Sequence, residues 1–509
     1  MAFGSTVISS ILISIFALCL RGFYQLYLSP LSSIPGPWYA AISNIWTLIH
    51  TFRCRKVRAI DALFKIYGPV VRIAPNTIAF LDHDLEQRTT RLVYNTLKLD
   101  KGPLYGAVHI LTDWVCSVAI IEHSVHARYR RIFASHYSPG NIALLHPDMR
   151  ATAQVLVQKI MEASLQQPLD IFPGIHLAMI DLILTSTFGH NHDALGSWSE
   201  DSHNVILSSI EDYGRLILLG GILPKWLMNI ASCFPNKRWQ TFCASGDTLF
   251  NIMGKMVRNM QSEKDAGNLD DRDKPTLIQR FFSHNDSCAP EDRLSYEDMT
   301  SESMTHLLAG VDASAVAVSY ILWQFSNQPL NVIKRIQAEL DSVMPDPMII
   351  PDLKILQALP CLDALFKEGL RLHGPIPTFL ERLSPQSGPL DLLGFKIPPK
   401  TVIGTQSWSM HRNEAIFQNP ELFDTFRWLD EAKPQEPMLQ SLAPFGMGTR
   451  ICIGQHLARA AIKIMLAAII RNFDIAPCEQ TNARTMEMME LFGMFPVGLN
   501  CKLNFNPRV

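Results

Sequence analysis

The sequence predicts a mainly α fold with a smaller β region, and three observations carry that expectation. Most of residues 120–375 has helical periodicity. Short β-branched runs bounded by turn residues occur towards the two ends of the chain. The longest helical pattern, starting near Ser295, is apolar nearly all round in its middle, as a helix central to a large core must be. At 509 residues the chain can bury such a core as two ordinary domains or one large one, and length alone does not choose. Lysine and arginine total 45 against 47 acidic residues, a net charge of −2, so no global field points to nucleic acid or to a strongly charged partner. The ten cysteines lie far apart, with no C-x-x-C pair and no zinc-like cluster, which fits free thiols in a reducing compartment.

The first twenty residues, "MAFGSTVISSILISIFALCL", carry no charged side chain and are just long enough to span a bilayer. A cleaved signal would need a positive n-region and a small-residue cleavage site, and neither is evident. Positive charge follows at Arg21, Arg53, Arg55, Lys56 and Arg58, which places the bulk of the chain in the cytoplasm. The expected layout is an anchor and flank over 1–28, a proline-rich spacer over 29–40 in which Pro30, Pro35 and Pro37 disfavour helix, and one large domain over 41–509. Next, "YGPVVRIAPNTIAFLD" reads as a hairpin around Pro75 and Asn76. Strand signals recur in "LDLLGFKIPPKTVIGTQSW" and "GMFPVGLNCKLNF", and the polar run 262–275 reads as a surface loop. The central helix is expected from Ser295, capped with Asp298, to about Asn327. Asp312 sits in its apolar middle, where a carboxylate needs a partner, water or a functional reason to be charged.

The most specific signal is "FGMGTRICIG", an F-x-x-G-x-R-x-C-x-G pattern formed by Phe445, Gly448, Arg450, Cys452 and Gly454. Five residue types at these offsets arise by chance in about one chain in ten thousand at background frequencies. Glycines at 446, 448 and 454 allow close backbone approach, and a helix starting near Gln455 would turn free amides and its positive dipole end toward the sulfur. His456 is too isolated from other ligands to suggest a second metal donor.

This loop resembles the haem-ligand loop of the cytochrome P450 family, and the resemblance extends along almost the whole chain after the anchor. It implies a single large, mainly α haem-thiolate domain with Cys452 as the iron ligand, Phe445 packed beside it, and Gly446 and Gly454 close to haem b. It implies that Arg450, His126 and Arg130 in "HARYRRIF", and Arg382 in "TFLERLSP" bind haem propionates, although a solvated basic face is an alternative for His126 and Arg130. "KEGLRLHGP" supplies Glu368 and Arg371 in the family's E-x-x-R spacing, and Arg427 in "FRW" is the expected third member of that network. Taken alone, E-x-x-R is an ordinary intrahelical pair worth a few tenths of a kcal/mol. Thr425, Phe426 and Arg427 stand where the family usually has P-E-R, and Asn413 stands in a usual aspartate place.

The central helix departs from the family at "AGVDAS". Asp312 is present for a proton relay, but Ala313 replaces the usual threonine, so protonation beside bound oxygen needs another donor. Ser314 is one candidate, a substrate hydroxyl or water a second and preferred one, and a reaction without oxygen activation a third. Ala309 and Gly310 either admit substrate or allow tight helix packing. Substrate contacts are expected from 101–115, 213–227, Ala309, Gly310, Ala313, Ile376 and Phe379, with 213–227 reading equally well as a membrane-dipping surface. Arg459 and Lys463 read as a solvated helix face or a docking site. The resemblance implies a monooxygenase of an apolar terpenoid, polyketide or alkaloid intermediate of fungal secondary metabolism. It would take NADPH electrons from a separate reductase at the endoplasmic reticulum membrane. A haem-thiolate isomerase or dehydratase and a non-catalytic haem sensor are the alternatives.

Overall fold

A computed structural model describes residues 2–82, 89–106, 116–163, 168–199, 204–223, 225–269, 274–430, 435–491 and 493–508. The chain forms two compact units, one from residues 1–102, 377–418 and 447–449, the other from 103–376, 419–446 and 450–509.

In the first unit, helix α1 (Ala2–Phe23) runs into a π-helical turn, Tyr24–Leu28. The stretch Ser9–Leu28 has a mean hydropathy of 1.7 and no fully buried residue, a profile that fits a membrane segment. Pro30 to Pro37 is non-helical as expected, but Trp38–Ile42 forms a short helix with Pro37 as its N-cap residue. This corrects the helix-free spacer: proline breaks a helix from inside yet is tolerated at its start. Strands β1 (Val70–Ala74) and β2 (Thr77–Phe80) form the expected hairpin. β3 (Phe379–Leu383) and β4 (Val402–Gln406) complete a sheet in the order β1-β2-β4-β3, with β2 and β4 parallel and the other pairs antiparallel. Alternate residues feed two apolar clusters, Val70, Ile78 and Phe80 on one face and Val71, Ile73 and Ala79 on the other. With both faces covered, the strands read as continuous apolar runs. Buried Arg72 ties this sheet to the Tyr24–Leu28 turn, donating to the carbonyls of Gln25 (2.8 Å) and Pro75 (2.7 Å).

The second unit is mostly helix. Its axis is α2 (Tyr296–Ser326), about 46 Å long at 1.5 Å per residue. The Ser295 hydroxyl accepts from the Asp298 N–H (3.0 Å), and the Asp298 carboxylate accepts from the Ser295 N–H (3.0 Å), the expected reciprocal cap. Against it pack the helices Ile171–Phe188, Ser245–Asp265, Pro360–His373 and Gln455–Asn472. Ile171–Phe188 is apolar enough to cross a membrane but is 89% buried, so it is a core helix. Residues 262–265 of the polar run continue the helix Ser245–Asp265 rather than forming loop, while 270–273 lie outside the described residues. A small sheet of Leu169–Asp170, Lys502–Pro507 and Phe473–Ala476 completes this unit.

Candidate active site

The cysteine loop is closed by its own backbone, the Cys452 N–H donating to the Phe445 carbonyl at 2.9 Å. Gly446 and Gly448 take φ of +75° and +66°, where a side chain is strained. A Cβ on Gly448 would also lie 2.0 Å from the Tyr94 carbonyl oxygen, so no other residue fits there. Gly454 is different: its Cβ would meet only the Tyr137 ring, at 3.9 Å, and the protein by itself does not demand glycine. The loop hands the chain to the helix Gln455–Asn472 at Gly454.

Cys452 is exposed by area yet enclosed by neighbouring atoms, as a thiol at the floor of a recess is. Burial pushes this thiol up, opposed by the Gly454 N–H and by the charges of Arg130 and Arg459. Burial wins that balance, so the protein alone does not ionise the sulfur. A metal cation bound there would, because coordination deprotonates a thiol outright. The donor set of one accessible sulfur, one N–H and two guanidinium charges therefore fits a thiolate-bound iron porphyrin.

Arg130 donates to the Ile451 carbonyl at 2.7 Å, and His126 is buried on the same helix, His123–Phe133. A fully solvated basic face does not fit buried His126, and Arg130 is half-buried with its guanidinium bonded to the loop. Arg450 donates to the carbonyls of Ile120 (2.8 Å) and Ile121 (2.7 Å). It thus holds the segment before the His123 helix. Arg382, in the other unit, is buried, donates to the Glu381 carbonyl at 2.7 Å and lies over the Tyr94 ring at 4.8 Å.

Arg459 stacks over Phe445 at 4.7 Å and Phe366 at 5.7 Å, and Lys463 is buried with its ammonium 2.7 Å from Asp363 Oδ1. Both correct the solvated-face reading. Their helix packs on more than one side, so a cationic head can reach a carboxylate or ring while its stem fills the core. His456 is exposed, and no cluster of metal-ligating side chains occurs among the described residues.

Glu368, Arg371 and Arg427 come together as expected. The Glu368 carboxylate, fully buried, accepts from Arg371 Nε (2.9 Å) and Nη2 (2.8 Å), Arg427 Nε (3.3 Å), the Asp424 N–H (2.9 Å) and Trp428 Nε1 (2.9 Å). Trp428 was not foreseen, and the departure from P-E-R is accommodated by Asp424, whose side chain caps the Phe426 N–H at 3.0 Å.

On α2, Ala309 is exposed and Ala313 half-buried, one turn apart on an accessible face. Gly310 points elsewhere: its Cβ would lie 2.7 Å from Ile183 Cδ1, so it serves helix packing, which corrects its assignment as a substrate contact. Ser314 is buried, 3% exposed. Phe379 is also core, packed among Ala40, Val71 and Val402, and is corrected likewise, whereas Ile376 is 40% exposed. Of the expected 101–115 contacts, 107–115 lie outside the described residues. Asp312 meets an unforeseen partner, His176, whose Nε2 lies 3.4 Å from Asp312 Oδ1. The only signal in the sequence is a lone histidine within the apolar run "IFPGIHLAMIDLILTSTF".

A long helical core with a cysteine presented by a glycine loop at a helix N-terminus, flanked by half-buried arginines, defines a haem-thiolate protein. The chain belongs to the cytochrome P450 family, whose sequence profile, "Cytochrome P450", matches residues 35–503. It is 24% identical to the cytochrome P450 monooxygenase cypX of Dothistroma septosporum, over 93% of this chain and 90% of that one. It is 25% identical to the tryprostatin B 6-hydroxylase of Aspergillus fumigatus (92% and 79% covered) and 26% identical to the N-acetyltryptophan 6-hydroxylase ivoC of Emericella nidulans (89% and 87%).

Proposed function

We propose that this P450 is a monooxygenase that inserts one oxygen atom into an apolar intermediate of fungal secondary metabolism, of terpenoid, polyketide or alkaloid class. The observation that carries the reading is the accessible Cys452 thiol flanked by the Gly454 N–H, Arg130 and Arg459. The kinship with a cytochrome P450 monooxygenase, a tryprostatin B 6-hydroxylase and an N-acetyltryptophan 6-hydroxylase of fungal origin supports the substrate class. Cys452 would ligate haem b; Arg130, Arg450, His126 and Arg382 are the candidates for its propionates, and Gly446 and Gly454 for its close approach. Bound there, haem supplies oxygen binding and O–O cleavage, which a thiolate ligand favours by electron donation.

The chain's own residues do the rest. Arg459 over Phe445 fixes the ring beside the ligand. Ala309 and Ala313 offer a shallow apolar surface for substrate, with Ile376 as a further contact. Asp312 handles protons at its carboxyl, and with Ala313 bearing no hydroxyl the next donor is a water or a hydroxyl of the substrate itself; buried Ser314 is the less favoured candidate. Electrons come from NADPH through a separate flavoprotein reductase. The exposed span Ser9–Leu28 anchors the protein in the endoplasmic reticulum membrane with the catalytic domain cytosolic. Exposed Trp226, Ile230 and Phe234 favour membrane contact over substrate contact for that part of the 213–227 region and its flank.

The test is expression in a host with microsomal reductase, fed candidate substrates under ¹⁸O₂. One heavy oxygen per oxidation, lost in Cys452→Ser, is expected; an unlabelled product with the substrate's own composition overturns the reading in favour of an isomerase.

A further inference from the structure

His176 is 1% exposed, in the middle of the buried helix Ile171–Phe188. Its Nδ1 lies 2.7 Å from the Phe172 carbonyl oxygen, a contact only an N–H can make, so Nδ1 carries a proton. Its other nitrogen, Nε2, lies 3.4 Å from Asp312 Oδ1. A neutral ring with Nδ1 already protonated would turn a lone pair toward that carboxylate; only an imidazolium turns an N–H toward it. Nε2 and Oδ1 are both buried and, among the described residues, neither completes a hydrogen bond, so their 3.4 Å approach is an ion-pair contact that each needs to offset its burial. Asp312 is 21% exposed while its Oδ1 is buried, so the accessible oxygen of the carboxyl is Oδ2.

We propose that His176 is the positioning residue for proton delivery in this enzyme, an imidazolium that holds the Asp312 carboxylate and shares a proton with it where Ala313 leaves no hydroxyl. In the step, the Nε2–H bond breaks as an Oδ1–H bond forms, leaving a neutral ring and a carboxylic acid. The carboxyl then turns about its Cβ–Cγ bond, bringing the O–H to the accessible side, where that bond breaks as a water takes the proton; a proton taken back from solvent and the reverse turn restore the imidazolium and the carboxylate. The inference deepens the oxygen-activating reading and rests on it, but the titration of the pair does not.

The charged surroundings agree. Besides Asp312, the groups acting on His176 are Glu211 on the helix Val205–Ile222 and Asp170 at the start of its own helix; Glu211 is itself influenced by Arg215 and Asp212. Burial pulls the His176 imidazole down, but the adjacent Asp312 carboxylate, the Phe172 carbonyl and Glu211 together raise it above its ordinary value. A raised value means that the charged pair is complete below the ordinary histidine range and is lost as pH rises through the folded-state value.

The experiment is histidine C2-hydrogen exchange, read by mass spectrometry on the full haem-loaded chain in detergent across pH 5–9. His176 is expected to titrate above an ordinary histidine and to fall in Asp312→Asn. In parallel, product formed per NADPH consumed is measured for His176→Gln. It is expected to drop about tenfold, below the ~10²–10⁴ of a group transferring the proton directly, to lose its decline at high pH, and to recover with Ala313→Thr. A His176 value at or below the ordinary one, or unmoved by Asp312→Asn, overturns the proposal, and so does unchanged coupling in His176→Gln. Should that variant fail to fold, the wild-type and Asp312→Asn titrations decide alone. An unlabelled product would overturn the monooxygenase reading while leaving the titration standing.

Discussion

Replacing Glu368 by glutamine tests whether the E-x-x-R pair is more than an intrahelical contact. On an exposed helix such a pair contributes a few tenths of a kcal/mol. Here both side chains have no exposed surface, and one carboxylate satisfies two arginines, an indole N–H and a backbone N–H. Glutamine removes the charge while retaining the shape, leaving two buried guanidiniums facing an amide whose NH₂ repels the donors around it. Breaking a buried pair from one side costs about 3–5 kcal/mol. With an m-value of about 3 kcal/mol/M in urea for a chain of this size, the unfolding midpoint followed by tryptophan fluorescence should drop by about 1–1.7 M.

The pH dependence adds a second check. Burial alone would raise the Glu368 carboxyl, but Arg371, Arg427 and the Asp424 N–H overcome it and hold it below the usual glutamate range. A depressed carboxyl contributes stability that is present above its unfolded value and lost as pH falls through its folded one. The gap between wild type and Glu368→Gln should therefore be constant from pH 7 to 5.5 and narrow only in acid. A midpoint shift under about 0.3 M, the scale of an exposed pair, would refute the argument, as would a gap that closes near neutrality.

Cys452→Ser should abolish the thiolate-specific absorption of the reduced carbon monoxide complex, and circular dichroism should show the helical content retained. Removing residues 1–28 should move the protein from the membrane pellet to a salt-sensitive or soluble fraction on flotation; unchanged pelleting would make a second surface the main anchor. Gly310→Ala should cost about 1–3 kcal/mol from overpacking against Ile183, measured by urea unfolding, and Ile183→Val, which deletes the Cδ1 atom at 2.7 Å, should recover part of that loss. Arg72→Met should leave the Gln25 and Pro75 carbonyls without their donor and increase protease cleavage near residues 25–35 relative to wild type.

What one sequence discloses is set by the range of the physics involved. The Ser295 cap, the Pro75–Asn76 hairpin and the cysteine loop are local: each is decided within a few residues and each stands where the pattern put it. Burial on one face or another is less legible. Ala309 and Gly310 are neighbours, yet a step of about 100° along the helix gives one an accessible face and the other to Ile183. Phe379 looked available for substrate because an apolar strand residue does not say which face is covered, and in a sheet covered on both faces the alternation disappears.

Least legible are pairings between distant helices. Asp312 demanded a partner from its sequence context alone, since a carboxylate in an apolar helix must be satisfied. Nothing within reach along α2 could be that partner, and the answer lay on a helix more than a hundred residues earlier, in a histidine that its own surroundings made anomalous. Two isolated polar residues in two buried apolar helices amount to a constraint: each is costly alone, and packing the helices against each other lets opposite charges offset both costs at once. That logic also explains why the loss of a hydroxyl at Ala313 need not silence the site. The proton-bearing group beside the carboxylate lies not on α2 but on the neighbouring helix, where an imidazolium carries a charge that a threonine hydroxyl does not.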